Sequence, residues 1–376
     1  MSFNQQWVLE SAKRLIRIPS RGGVDDPQLI VNEALNLAQE LELPAEIIND
    51  GSRPLGVWVH SCGKLVAQKI ALIACIDTSG FDETGWKTHP TDPVIENGWL
   101  CGRGSADSKT MAVLFLNLAK EFKEKQTPIE VFLDADEHTG HFRGTKAFAK
   151  TCKGLTGGYI GYPGADAVNR GARGFYRVRI RCEGKEGHSG SHTRPNAVTL
   201  AGQLAQEFKP EYFERALEWE GRKPQWTVTG IKGGGDWGRV PERCDLELDV
   251  RLTKVWDKED AKKAIEEVLK KLGVRQQVVL EEVVGAPPYA IPPDHPLVTT
   301  LIAEARKQGL AQVGSKICGP SNVGNFFAQE GVPVVCGWGA RYKNMHAPNE
   351  CICLEDLPKV YEAYSKALML LIKGNI

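Results

Sequence analysis

Residues 70–76 read IALIACI, an apolar run with no charged or amide side chain. A strand with one wet face alternates apolar and polar positions, so a short continuous run marks a strand buried on both faces. A second buried strand is predicted at 129–133 (IEVFL), with an amphipathic helix over 108–125 between the two. Helical periodicity also marks 7–16, through Val8, Leu9, Ala12 and Leu15, and 28–41. Strands alternating with helices define an α/β layer structure, whose chemistry gathers beyond the carboxyl ends of the strands.

The pattern changes after Gly171-Ala172-Arg173-Gly174. Residues 175–182 (FYRVRIRC) alternate apolar and charged side chains, as a sheet with one solvated face requires. A helix at 196–208, strands at 225–231 and 244–252, a helix at 258–272 and a strand at 276–282 complete a compact α+β unit. Buried runs return beyond Ala286-Pro287-Pro288, at 332–336, and a last helix covers 357–372. A single core stops growing at roughly 250–300 residues, and this chain has 376. The sequence thus predicts a split α/β domain over 1–173 and 283–376, interrupted by an inserted α+β domain over 174–282.

Charge excludes some partners. Lys plus Arg number 47 and Asp plus Glu 47, giving net charge +0, so neither nucleic acid nor a polybasic membrane anchor is expected. No apolar run approaches the ~18 residues of a membrane span, and residues 1–4 do not open a signal peptide. Ten cysteines are scattered without a CxxC, and Cys351 and Cys353 lie too close for a disulfide. Reduced thiols and a cytoplasmic location are the expectation.

Five polar segments follow predicted strands or turns. They are Cys75-Ile76-Asp77-Thr78, Gly102-Arg103-Gly104-Ser105-Ala106-Asp107-Ser108-Lys109 and Asp134-Ala135-Asp136-Glu137-His138. The other two are Gly161-Tyr162-Pro163-Gly164 and Asn344-Met345-His346-Ala347-Pro348-Asn349-Glu350. Singly, each has a plain reading. Asp107 after a glycine turn reads as a helix cap, His346 as a solvated loop residue and Glu137-His138 as a polar loop.

Together their order and spacing resemble the zinc-dependent aminoacylase and carboxypeptidase superfamily, which includes acetylornithine deacetylase, succinyl-diaminopimelate desuccinylase and glutamate carboxypeptidase. The resemblance runs from Ile18-Pro19-Ser20 to Glu350. Its most specific part is Gly-Arg-Gly-x-x-Asp-x-Lys at 102–109, followed by Asp136-Glu137. In the insert it rests on Gly187-His188-Ser189-Gly190, Asn196-Ala197 and Asp249-Val250-Arg251. It implies a split metallopeptidase-like α/β catalytic domain with an inserted α+β dimerisation domain, and a homodimer.

Carried over residue by residue, the resemblance makes Asp107 the bridging metal ligand and His346 the late histidine ligand. It makes Glu137 the general base and Asp77 the orienting acid. Three positions depart from the family pattern. Cys75 stands where a histidine ligand belongs, His138 where a glutamate belongs and Tyr162 where an acidic ligand belongs. One metal would keep Asp107, His138 and His346, all good ligands for a divalent transition ion. The other would have only Cys75, Asp107 and Tyr162, and phenol, with its pKa of ~10, is a poor ligand. One zinc is the expectation, with manganese or cobalt as alternatives, and Cys75 and Tyr162 form the possible second site.

In the mechanism so implied, the metal acidifies water and Glu137 moves its proton to the leaving nitrogen. His188 resembles the insert histidine that donates to the oxyanion across a dimer. Arg251 resembles a strand arginine that holds a substrate carboxylate, with an acid-paired strand arginine as the plain alternative. Gly238 replaces a family asparagine, and Asn322 stands in a substrate-binding position often held by aspartate. The expected substrate is a small N-acyl amino acid or peptide. Two readings compete with that hydrolase: a non-catalytic binding or assembly relative without metals, and a hydrolase of a non-peptide C–N bond.

Overall fold

The computed structural model describes residues 3–62, 69–190, 195–309 and 313–374. They form two compact units, one of residues 1–171, 290–318 and 322–376, the other of 172–289 and 319–321.

The first unit is built on a six-stranded sheet in the order Ala45–Asp50, Arg53–His60, Ile129–Asp134, Lys69–Cys75, Leu155–Ile160, Val334–Cys336. The last four strands are mutually parallel, and the first two form an antiparallel hairpin at one edge. Every residue of Lys69–Cys75 and of Ile129–Asp134 is buried, the apolar ones against helices and the charged Lys69 and Glu130 against each other at 2.7 Å. The hairpin strand Ala45–Asp50 is only half-buried and lacks such a run, so the sequence did not reveal it.

Helix Thr110–Glu124 packs against the sheet and is apolar on nearly every face, with the stretch from Thr110 to Ala119 wholly buried. A helix of that kind lies inside a core rather than on it. Phe115 meets Tyr364 of helix Leu357–Lys373 edge to face at 5.4 Å. Gly161, just past a strand end, lets this ring approach, because a Cβ there would fall 2.7 Å from Phe115 Cε2. Phe115→Ala is expected to cost about 3–5 kcal/mol.

The second unit carries a four-stranded antiparallel sheet in the order Gln225–Gly233, Arg243–Leu252, Gly174–Glu183, Val278–Ala286. One face buries Tyr176, Val178, Ile180 and Leu248 against Leu200 and Leu204 of helix Ala197–Glu207 and Ile265 and Leu269 of helix Lys258–Lys271. The alternate positions make the charged face: Arg177 pairs with Asp249, Arg179 with Glu281 and Arg181 with Asp245. The unit runs on to Tyr289 rather than ending at 282. The strand Val278–Ala286 pairs along the whole length of Gly174–Glu183, with Ala286 opposite Phe175.

Not all ten cysteines are reduced. Cys101 and Cys351 lie directly opposite each other on antiparallel strands and form a disulfide, while the other eight are free. Their separation of 250 residues hides this pairing from the sequence.

Candidate metal centre

Parallel strands deliver one cluster of side chains to one edge of the first unit's sheet. Cys75 ends its strand opposite Asp134 of the neighbour, and Tyr162 lies two residues past Ile160 of the next strand. The turn after Asp134 is shaped by buried carboxylates. Asp134 Oδ1 accepts the Asp136 N–H, and Asp136 Oδ2 accepts the backbone N–H of Arg143. Those two acids hold the loop, and Glu137 and His138 project from it.

Asp107 arrives on a tight turn. Gly104 has φ +82°, and a Cβ there would sit 2.8 Å from Thr78 and 2.9 Å from Lys109 side-chain atoms. Glu350 fixes the turn from the other side: its Oε1 accepts the N–H groups of Ala106 and Asp107, and its Oε2 pairs with Arg103 at 2.7 Å. The loop that ends in Glu350 also carries His346, and the Cys101–Cys351 disulfide joins the two segments at their base. Asp107 is therefore no helix cap. Helix Thr110–Glu124 has no side-chain cap, and both Asp107 oxygens face the cluster.

His346 Nε2 lies 2.7 Å from Asp107 Oδ2, and His138 Nε2 lies 3.5 Å from that same oxygen. Ligand atoms of Asp107, His138 and His346 all fall within 4.8 Å of one another. Asp77 turns His138. Its Oδ2 accepts the His138 backbone N–H at 2.7 Å, and its Oδ1 meets Nδ1 at 3.1 Å. A carboxylate on one ring nitrogen leaves the other directed at the centre, the usual outer support of a metal-binding histidine. The side chains of Asp107 and His138 are 7% and 11% exposed, while that of His346 is 53% exposed, so the cluster opens to solvent on the His346 side.

Electrostatics follow from this crowding. Burial acts to raise Asp107, but hydrogen bonds from His138 and His346 outweigh it and hold the carboxyl below its usual range. Burial acts to lower His138, and Asp77 and Asp107 override it, pushing the imidazole well above its ordinary value. Glu137 is pushed up to about 7 by burial and by Asp107 and Asp77, against the pull of His138. A carboxyl near neutrality is the form a general acid–base needs.

The other half of the cluster has different chemistry. Burial, then Asp107, Glu137 and Asp77, push the Cys75 thiol well above its ordinary value. Cys75 Sγ lies 3.1 Å from Ser108 Oγ and 3.6 Å from Asp107 Oδ1. The Tyr162 hydroxyl donates to Glu137 Oε1, and burial, with Glu137 next, holds the phenol protonated. Cys75, Asp77 and His138 also come within 4.8 Å, but Asp77 already engages His138 Nδ1. As a donor set, Asp107, His138 and His346 fit one divalent transition ion. Cys75 and Tyr162, both pushed above their ordinary values by burial, are a poorer donor pair for a second ion.

The remaining expected residues lie elsewhere or are otherwise engaged. His188 and Arg251 belong to the second unit. His188 is exposed on a two-residue strand, its Nδ1 accepting the Gly190 N–H at 3.0 Å. Arg251 pairs with Asp249 at 2.7 Å. Asn322 is buried, with Oδ1 accepting the Gly324 N–H and Nδ2 directed at Cys318 Sγ, so its carboxamide serves a turn rather than an open substrate contact. Sequence reasoning missed Glu350 and Lys109 as supports. Lys109 Nζ donates to the carbonyls of Leu15 and Ile18, and burial lowers its pKa to about 7. Both stand in segments singled out above, but a buried role leaves no mark in composition.

Residues 72–370 match the model of peptidase family M20/M25/M40, and the chain belongs to that family. It is a hydrolase acting on amide bonds, in a family of dinuclear, divalent-metal-dependent enzymes. A succinyl-diaminopimelate desuccinylase of Sulfurovum sp. (strain NBC37-1) is 24% identical over 302 residues, 77% of this chain and 80% of that relative. The M20 family metallo-carboxypeptidase Sso-CP2 from Sulfolobus solfataricus shares the fold at TM-score 0.77 and 17% identity, covering 97% of this chain and 99% of its own. The YXEP protein of Bacillus subtilis, a dinuclear metal binding peptidase of the M20 family, does so at TM-score 0.69 and 14% identity, with 98% of each chain covered. No helix among the described residues is long and apolar enough to cross a membrane.

Proposed function

We propose that this chain hydrolyses the amide bond of a small N-acyl amino acid or peptide with one divalent metal per chain, held by Asp107, His138 and His346. The observation that carries this reading is the convergence of those three ligand groups beside Glu137, while a protonated thiol and phenol fill the other half of the cluster. When bound, the ion supplies Lewis acidity, polarising a carbonyl and making water more acidic. Asp77 keeps the His138 ring turned so that Nε2 faces Asp107. The Tyr162 hydroxyl occupies Glu137 Oε1, which leaves Oε2 to take a proton from the attacking water and pass it to the leaving nitrogen.

The inserted unit supports a homodimer. Its strand Gln225–Gly233 is an edge of the sheet, with Ile231 exposed on it and Trp237 exposed in the turn beyond it. The oxyanion donor in this reading is the partner's His188. Eight free thiols favour a reducing, cytoplasmic location, and the Cys101–Cys351 disulfide counts against it.

The test is the metal-to-chain ratio after loading with excess zinc and desalting, followed by turnover on a panel of N-acyl amino acids and dipeptides. One metal per chain with turnover on the panel is expected. A ratio of two, or a ratio of zero that persists with substrate present, overturns the reading.

A further inference from the structure

A cavity of about 300 Å³ opens beside the turn that follows His138, lined by Gly23, Arg53, Thr139, His141 and Arg143. Two guanidiniums and an imidazole line it, and no carboxylate does. Arg143 is already neutralised, at 3.1 Å from Asp136 and 2.9 Å from Asp50. Arg53 differs. Its Nε is buried without a hydrogen-bond partner, and among the described residues no carboxylate pairs with its guanidinium. A buried N–H of a cation left without an acceptor is costly, and an acceptor from outside relieves that cost.

Two further features shape the site. Helix Arg143–Thr151 begins at this cavity, but Asp136 Oδ2 already accepts its first N–H, so the helix end adds little and Arg53 carries the attraction. Gly23 keeps the opposite wall low, with nothing within 4 Å of where its Cβ would lie.

We propose that this cavity is a binding site for a small anion bearing a carboxylate or phosphate group, with Arg53 as its principal ligand. The planar guanidinium fork matches either group with paired hydrogen bonds. The site stands apart from the metal ligands but touches the elements behind them. Arg53 and Gly23 also line a narrow cleft bounded by Asp77 and Ala135. Gly22 packs so closely on the His138–Thr139 peptide that a Cβ there would fall 2.4 Å from His138 C. An anion on Arg53 therefore braces the turn that carries His138.

The test is calorimetric titration of the full-length, zinc-loaded protein with inorganic phosphate and, separately, with succinate at constant ionic strength. Saturable binding of at least one of them is expected, and which one binds identifies the source of the anionic group. Arg53→Gln is expected to weaken it by about ten-fold or more, Arg53→Lys to recover part of the loss, and His346→Ala to leave it unchanged. If Arg53→Gln does not fold, the lysine variant carries the comparison, with weaker binding than the wild type expected. Absence of saturable binding, equal affinity in the wild type and the Arg53 variants, or loss of binding in His346→Ala overturns the proposal. The last outcome assigns the anion to the metal centre, and none of these outcomes alters the metal stoichiometry on which the proposed hydrolysis depends.

Discussion

The two halves of the cluster around Asp107 share that residue and otherwise diverge. On one side, His138 and His346 present Nε2 atoms to the same Asp107 oxygen, with Asp77 behind His138. On the other, Cys75 faces Ser108 and Tyr162 faces Glu137, so each departing side chain has found a partner inside the protein. The changes form a set. Asp77, left without the histidine expected at 75, orients the histidine that has appeared at 138. Tyr162, where an acid is expected, supports the base instead. The comparison teaches that side chains departing from a family pattern can be matched by hydrogen bonds within the protein, here between Cys75 and Ser108 and between Tyr162 and Glu137.

Four measurements break or sharpen that contrast. Asp107→Ala removes the oxygen both histidines face, so the metal-to-chain ratio should fall from one to near zero. Turnover should drop on the order of 10³-fold or more as several kcal/mol of transition-state stabilisation are lost. A variant that still holds its metal would place the centre elsewhere. Glu137→Ala should lower turnover by about 10²–10⁴ while the metal remains bound, since the base is no ligand. Metal loss in that variant would reassign the residue.

Asp77→Asn should weaken metal affinity by about 10–100-fold, measured by competition with a chelator, because the amide orients His138 less well. Unchanged affinity would remove Asp77 from the supporting set. The smallest effect belongs to the other half. Cys75→Ser alone should leave the metal ratio at one, whereas Cys75→His combined with Tyr162→Asp should raise it towards two under excess zinc. A falling ratio in Cys75→Ser would show that the thiol is a ligand after all.

Much of this was legible in the chain. The run at 70–76 had no polar side chain to show to water and that at 129–133 only Glu130, which Lys69 neutralises inside, so their burial between helices followed. The alternation at 175–182 likewise set one sheet face against a core and the other in solvent. The Gly-Arg-Gly turn and the Asp-Glu-His loop marked the candidate centre because motif spacing survives where overall similarity is low. Other features were hidden. Arg251 could equally be a substrate contact or a strand arginine, and only the fold reveals that Asp249 lies 2.7 Å from it. The resemblance puts Asn322 in a substrate-binding position, and in the fold it is buried with its carboxamide oxygen accepting the Gly324 N–H.

Local pattern was sufficient for the layer class and the insertion of one unit into another, while the metal-ligand candidates came from the family resemblance carried by motif spacing. The first two depend on periodicity, and residue chemistry then weighed which of the candidates make a good donor set. Tertiary structure alone decided which groups meet. Asp107 and His346 are 239 positions apart, and Asp77 and His138 are 61 apart. The Cys101–Cys351 disulfide and the buried Glu350 that aligns Asp107 also depend on segments brought together from opposite ends of the chain. Hydrogen bonds and metal ligation act over about three ångströms, and separation along a sequence carries no information on that scale until the sheet has formed.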